Sequence, residues 1–576
     1  MEPKKEIRLK GTPVSEGIAL GNPFFLSTSE DEVIPDFSIG VGEIDQEISR
    51  YRKALFSSRE DLKKLQSTLE TQGSFEAVTI IDTHLQMLCD PLMTTHMEER
   101  IRQMRRNTEV VFRSAIQEFE RKFSKVKDSF FRQRFVDVKD LSKRILNHLS
   151  PQSPQTIATP AHAIIFASEL TPSYTAAVTT THVCGFVSQH GGGNSHAALI
   201  ARSKGLPYVT SIDISAVLES SPKLVIIDGS KGMVILDPLP ATIEEYEAKK
   251  VELQSRRQHL ESEGHLKAET VDGHCVSVLA NISSMDEISF MHQHGAAGIG
   301  LFRSEYLFLE NAALFQSEEE QYRAYRELGE RAGDLPVVIR VLDIGGDKNY
   351  QQFGLSQKDF EAYRGIRLLL KYKEIFKTQL RAILRASFHA DIRILLPLIS
   401  QIEELRESKQ LIEEVREELK IAKLEYREEP LIGCMIETPS AVMISGTLAQ
   451  ESDFLSMGTN DLIQYTLGVD RSSPLMSESS FPAHPSIIHM IKMATDEAKK
   501  YHRFFSICGE IAASPFFIPL LLGLGVEGFS CAPRYIPLVK KVIRSTRLDD
   551  AKKLATRILK LKTSAEVTKA LTTNVE

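Results

Sequence analysis

The sequence predicts an α/β multidomain protein: a C-terminal TIM (β/α)8 barrel, preceded by an N-terminal α/β domain that carries an all-helical insert. Three observations lead there. A chain of 576 residues is too long for one hydrophobic core. Its second half alternates eight short apolar runs with helical stretches, the pattern of βα units. Between residues 35 and 148, glycine and proline are scarce and apolar residues recur at helical spacing.

Composition narrows the class. Hydrophobic residues make up 42 %, enough to bury several cores. The formal charge of −7, from 70 basic and 77 acidic residues, gives no reason to expect nucleic acid or an anionic membrane as the main partner. The first residues, MEPKKEIRLK, are charged and lack the apolar segment of a secretory signal. The longest apolar run, Phe516 to Val526, is broken by Pro519 and two glycines and is too short to span a bilayer. Six cysteines (89, 184, 275, 434, 508 and 531) form no CxxC pair, so neither a disulfide framework nor a zinc site is expected. A reducing cytoplasm fits these features.

Residues 7–27 read as a short β-rich start with turn glycines. Ile44, Ile48, Tyr51, Leu55, Leu62, Leu65 and Leu69 then mark one face of a long helix. Ile80, His84, Leu85 and Leu88 mark a second, and Thr94 to Leu149 holds a third and fourth. This insert of about four helices reads equally as a solvated bundle or as a docking surface for a protein. Past Pro151 the texture becomes α/β, with strands at Ala163–Phe166, Gly185–Gln189 and Leu224–Ile227. Asp228–Gly232, DGSKG, reads as a hairpin turn, and the charged stretch Ile243–Gly264 as a linker helix. The eight barrel strands are predicted at Val276–Ala280, Ala297–Phe302, Val337–Val341, Ile392–Leu396, Ile432–Ile436, Phe454–Met457, Phe504–Ile507 and Val526–Ser530.

A TIM barrel carries its site at the C-terminal ends of its strands. The second run is followed by Arg303, Ser304 and Glu305. The third contains Arg340 and leads into Asp343-Ile-Gly-Gly-Asp347-Lys348. The fifth ends in Glu437, the sixth leads into Asn460 and Asp461 with Arg471 beyond, and the seventh ends in Cys508-Gly-Glu510. Two carboxylates, Glu437 and Asp461, are hard oxygen donors that suit Mg²⁺. Arginines suit a small phosphorylated or carboxylated anion. Together they are the electrostatic equipment of phosphoryl transfer. Cys508 reads either as a proton donor on this rim or as a buried small hydrophobe.

A second site lies at Gly191-Gly-Gly193-Asn194-Ser195-His196. The glycines let backbone approach a ligand, and Asn194 or Ser195 can cap a helix starting near His196. At a helix start the dipole disfavours protonated imidazole, leaving a neutral nucleophile. The plainer alternative is an ordinary strand-to-helix turn with an exposed histidine.

The pattern Gly-Gly-x-x-Ser-His-x-x-x-x-Ala-Arg at 191–202 resembles the phosphohistidine signature of the phosphoenolpyruvate-utilising enzymes. GIGLFRSEYLF at 298–308, DIGGDK at 343–348, ETP at 437–439, SMGTNDLIQYTLGVDR at 456–471 and CGE at 508–510 resemble their phosphoenolpyruvate-binding domain. With the domain order and the helical insert, nearly the whole chain resembles the enzyme I family of the bacterial phosphoenolpyruvate:sugar phosphotransferase system.

The resemblance implies a swivelling α/β phosphohistidine domain (1–34 and 149–240) and a helical domain (35–148) that docks the small carrier HPr. It further implies a linker helix (241–264) and a barrel (265–576) that binds phosphoenolpyruvate and forms a homodimer. By the same resemblance His196 takes the phosphoryl group on Nε2. Arg303, Arg340, Arg364, Asn460, Asp461 and Arg471 hold phosphoenolpyruvate; Glu437 and Asp461 hold Mg²⁺, or Mn²⁺; Cys508 protonates enolpyruvate to pyruvate. The implied activity is that of a phosphoenolpyruvate-protein phosphotransferase feeding sugar uptake.

One stretch departs from the family pattern. Lys358-Asp-Phe-Glu-Ala-Tyr-Arg364-Gly-Ile-Arg367 keeps the arginines but lacks the usual Asn-Pro and Leu-Gly, so this loop can alter affinity without loss of chemistry. Pyruvate phosphate dikinases and phosphoenolpyruvate synthases need a large nucleotide-binding domain ahead of the histidine, and the stretch before His196 shows no glycine-rich nucleotide loop. A regulatory phosphorelay without sugar uptake would use the same residues.

Overall fold

The computed structural model describes residues 6–26, 36–71, 75–123, 129–149, 160–178, 182–192, 195–310, 317–345, 355–469 and 481–572. The chain divides into two compact units, Met1–Arg256 and Arg257–Glu576.

The first unit opens with β1 (Ile7–Lys10), β2 (Thr12–Ser15) and β3 (Ile18–Phe25). Five helices follow: α1 (Ile44–Thr71), α2 (Phe75–Met87), α3 (Thr95–Met104), α4 (Thr108–Phe123) and α5 (Ser129–Leu149). The chain then returns through β4 (Ala163–Ala167), α6 (Pro172–Ala177), β5 (Val183–Ser188), α7 (His196–Ser203) and β6 (Tyr208–Thr210). It ends with α8 (Ile214–Ser220), β7 (Val225–Asp228), β8 (Met233–Leu236) and the long α9 (Pro240–Ser262), which runs past the boundary at Arg256. The strands form one sheet in the order β1-β8-β7-β3-β4-β5-β6-β2. DGSKG is the turn between antiparallel β7 and β8, as its composition predicts.

β4 is apolar throughout because both faces are covered. Ala163, Ile165 and Ala167 pack on one side with Phe186, Ala197, Ala198 and Ala201. Ile164 and Phe166 pack on the other with Val187, Val209 and Ile227. Ile200 of α7 turns away from the sheet into the core of the helical bundle, beside Tyr51, Ile81, Phe112 and Ile145. The helix that begins at His196 is thus buried along two faces.

The insert has five helices among the described residues, one more than the sequence predicts. Thr94 to Leu149 holds three helices where two are expected, and a short turn separates α3 from α4. Arg105 takes the left-handed conformation (φ 49°) and closes α3 through its N–H to the Ile101 carbonyl. Glu47 of α1 then accepts from the N–H of Thr108 at 3.0 Å and from its hydroxyl at 2.7 Å, starting α4.

The second unit is a closed parallel barrel of β9 (Ser277–Ile282), β10 (Ile299–Arg303), β11 (Val337–Arg340), β12 (Ile392–Leu396), β13 (Ile432–Ile436), β14 (Phe454–Met457), β15 (Phe504–Ile507) and β16 (Gly528–Cys531). Every predicted strand is present, with ends within two residues of expectation. Alternation along the strands, interrupted in β10 by a register shift between Ile299 and Leu301, separates two cores. Ile299, Phe302, Val337, Ile339, Ile394 and Leu396 join the large cluster under the surrounding helices. Leu301, Val338, Leu395, Met435, Phe454 and Cys508 form a smaller cluster inside the barrel. No helix among the described residues is long and apolar enough to cross a membrane.

Candidate active site

Arg340 ends β11, where strand alternation turns it inward with Val338. It is 8 % exposed, hydrogen-bonds Glu305, and lies 3.3 Å from Asp343. Burial works against its charge, but Glu305, Asp343 and Glu437 more than offset it, so the guanidinium stays charged. The backbone beside Arg340 is itself held. Ser304 donates to the Arg340 carbonyl at 2.6 Å, and Gln379 accepts the N–H of Leu342 at 3.0 Å. The Gln379 amide also donates to Ser304 and to buried Tyr325.

Arg364 reaches the same place from the loop whose sequence departs from the family. Its guanidinium forks onto both oxygens of Asp343 at 3.1 and 2.9 Å, and its third nitrogen lies 3.1 Å from Asp461 and 3.3 Å from the Tyr465 hydroxyl. Gly345 lets the two loops touch. At φ 127° it bridges to Arg364, and a Cβ there would lie 2.2 Å from the Tyr363 carbonyl. Tyr465 was not anticipated, although it stands one helical turn beyond Asp461 and i,i+4 spacing points to it.

Glu437, at the end of β13, is 1 % exposed. One of its oxygens accepts the Leu398 N–H at 2.7 Å. Leu398 adopts φ 52°, an unusual conformation for a residue other than glycine. Burial, then Asp461 and Asp343, push Glu437 up to about 8, against the pull of Arg340. Glu305, Asp343, Glu437 and Asp461 thus crowd one place around Arg340 and Arg364. Among the described residues no three carboxylate, thiol or imidazole groups close a metal shell by themselves. Two carboxylates that leave positions for substrate oxygens and water fit Mg²⁺ better than a full protein cage.

Cys508 follows β15 and is 6 % exposed. Its thiol faces the Met457 carbonyl at 3.4 Å. Burial pushes the thiol up and Glu437 adds to this, while a hydrogen bond with Ser456 and the charges of Arg340 and Arg303 pull it down. A protonated thiol inside the barrel end can donate. Asn460 exchanges hydrogen bonds with Glu510, its amide to the carboxylate and the Glu510 N–H to its carbonyl, each at 3.2 Å. Arg303, half-buried at the end of β10, is near enough for its charge to act on Cys508. Arg340, Arg364, Glu437, Asp461 and Cys508 thus share one end of the barrel. Arg471, Asp347 and Lys348 lie outside the described residues.

In the first unit Ser195 caps α7: its hydroxyl accepts the Ala198 N–H at 3.2 Å, while Asn194 lies outside the described residues. His196 is the first helical residue. The loop before it rests on buried hydroxyls that the sequence did not reveal. Ser188 donates to the His190 carbonyl at 2.8 Å and lies 2.8 Å from the Tyr208 hydroxyl, and Thr210 donates to the Gly191 carbonyl at 3.1 Å. Arg202 anchors the other end of α7 through the Val14 carbonyl at 2.8 Å.

Residues 257–548 match the PEP-utilising enzyme, PEP-binding domain; residues 159–232 match the mobile domain of the same enzymes, and residues 10–134 their N-terminal domain. Proteins named phosphoenolpyruvate-protein phosphotransferase are similar over nearly the full length. That of Staphylococcus carnosus is 34 % identical, covering 97 % of this chain and 98 % of its own. That of Mycoplasma pneumoniae is 35 % identical over 98 % of this chain and 97 % of its own. That of Bacillus subtilis is 33 % identical over 97 % and 98 %. The chain belongs to the phosphoenolpyruvate-utilising enzymes and, within them, to the phosphoenolpyruvate-protein phosphotransferase family.

Proposed function

We propose that the protein transfers the phosphoryl group of phosphoenolpyruvate to His196, releases pyruvate, and passes the group to a histidine of HPr at the head of a sugar phosphotransferase cascade. The observation that carries this reading is the convergence of two arginines, two further carboxylates and a protonated thiol with Glu437 at one end of the barrel.

In this reading Arg303, Arg340, Asn460 and Arg471 bind the phosphate and carboxylate of the substrate, and Arg364 contributes from the opposite loop. Glu437 and Asp461 would hold Mg²⁺, or Mn²⁺ with the same oxygen donors. The ion, when bound, offsets charge on the phosphoryl oxygens. The Nε2 of His196 forms the N–P bond as the P–O bond to the enol breaks, and the electron pair passes to the enolate oxygen. Cys508 gives its proton to C3, forming the C–H bond of pyruvate, and water restores the thiol. The helical bundle would dock HPr, and two barrels would pair as a homodimer. A cytoplasmic setting suits such a cascade.

The test is incubation with phosphoenolpyruvate labelled on phosphorus, with Mg²⁺. Acid-labile, alkali-stable label is expected on the wild type and none on His196→Ala. Label retained by His196→Ala would overturn the assignment.

A further inference from the structure

We infer that Asn281 is a positioning residue for the proton-delivery step: its side chain fixes the peptide that carries Cys508. This rests on the reading of Cys508 as the acid.

Asn281 lies near the C-terminal end of β9 and uses both halves of its amide. Its nitrogen donates to the Cys508 carbonyl and to the Ser530 carbonyl, each at 3.0 Å. Its oxygen accepts from the Ser530 hydroxyl at 2.6 Å. Ser530 is fully buried, and space for its hydroxyl exists because residue 300 is glycine: a Cβ there would lie 2.3 Å from it.

The location explains why a side chain is needed. The β15–β16 ladder ends at Ile507↔Phe529, so the next residues, Cys508 and Ser530, have no backbone pairing with each other. Asn281 reaches across from β9 and joins their two carbonyls where the ladder stops. The Cys508 N–H and thiol both point to the Met457 carbonyl, at 3.0 and 3.4 Å. Cys508 is thereby fixed from two sides, by β14 through Met457 and by β9 through Asn281. A thiol that must meet C3 of a planar enolate has little tolerance, since a displacement near 1 Å costs on the order of 10²-fold in rate. In the step itself the S–H bond breaks, the enolate π pair takes the proton at C3, and water reprotonates the thiolate.

The experiment is single-turnover formation of pyruvate by the full-length protein with phosphoenolpyruvate and Mg²⁺. Wild type, Asn281→Asp, Ser530→Ala, Cys508→Ala and the Asn281→Asp/Cys508→Ala double variant are compared in H₂O and D₂O. Asp keeps the acceptor for Ser530 and loses both donors, and Ser530→Ala is the milder change. Asn281→Asp is expected to slow pyruvate formation on the order of 10²-fold and Ser530→Ala about tenfold. The half-saturating substrate concentration should stay within about twofold, and the solvent isotope effect should grow as the proton step becomes limiting. The double variant should be no slower than Cys508→Ala, because the two residues act as one unit.

If both Asn281→Asp and Ser530→Ala match wild type while Cys508→Ala is slow, the inference is overturned and the acid reading stands. Slowing with weaker substrate binding and an unchanged isotope effect also overturns it, since that marks general disruption. Wild-type speed in Cys508→Ala sinks the acid reading, and the inference with it.

Discussion

Arg364 meets two carboxylates before it meets any substrate. The sequence showed that this arginine survives in an altered loop, but not what it touches, because its partners Asp343 and Asp461 stand 21 and 97 residues away along the chain. The forked contact with Asp343 needs a planar guanidinium. A lysine would keep the charge and lose the bridge, so Arg364→Lys should cost about 1.5–3 kcal/mol of charge-assisted bonding. That corresponds to a fall of roughly ten- to a hundredfold in kcat/KM for phosphoenolpyruvate, and an unchanged kcat/KM would contradict the role. Gly458 tests the neighbouring carboxylate. A Cβ there would lie 2.8 Å from a Glu437 oxygen, so Gly458→Ala must displace that group. The Mg²⁺ concentration giving half-maximal rate should rise about tenfold, with circular dichroism unchanged. A variant with wild-type Mg²⁺ dependence would remove Glu437 from the ion's shell.

The helix α7 connects its end caps to the chemistry proposed at its start. Ser195 opens it, Arg202 ties it to β2, and Lys204 closes it with a 2.6 Å bond from its ammonium to the Val178 carbonyl. Burial pulls Lys204 from 10.5 down to about 8. Below pH 8 the ammonium is present in both folded and unfolded chains, and the folded state carries the full desolvation penalty. Between pH 8 and 10.5 the unfolded chain binds more protons, so this residue's contribution to stability rises with pH. Denaturation of the wild type and Lys204→Met across that window should show the rise only in the wild type; parallel curves would exclude the effect. The start of α7 was legible because a serine before an apolar run has a known capping geometry. The break between α3 and α4 was not: neither glycine nor proline marks it, and its cause is Glu47, distant in sequence. The hydroxyls of Ser188 and Thr210 were hidden likewise, since a serine or threonine in a strand gives no sign of whether it faces a loop.

At the scale of the molecule, the barrel was the most legible part. Eight apolar runs with room for a helix between them admit few other topologies, and the C-terminal rim rule then located Arg340, Glu437, Asp461 and Cys508. What strand counting could not supply was the interior clip at Asn281, because a polar residue ending a strand reads as solvent-facing. The division into two units permits a test that separates the half-reactions of the proposed pathway. A fragment ending at Arg256 keeps the sheet, the bundle and His196, and has cores of its own on both sheet faces and in the bundle. It should unfold cooperatively by itself. It should also accept phosphate backwards from phospho-HPr, because the imidazole and the proposed dock are both present. It should take none from phosphoenolpyruvate, because Arg340, Glu437, Asp461 and Cys508 belong to the other unit. Labelled phosphoenolpyruvate and labelled phospho-HPr, offered separately, distinguish the two steps. Transfer from phosphoenolpyruvate to the fragment would mean that the barrel is not the donor site. A folded fragment inert to phospho-HPr would mean that the bundle packed on α7 serves some purpose other than docking the carrier.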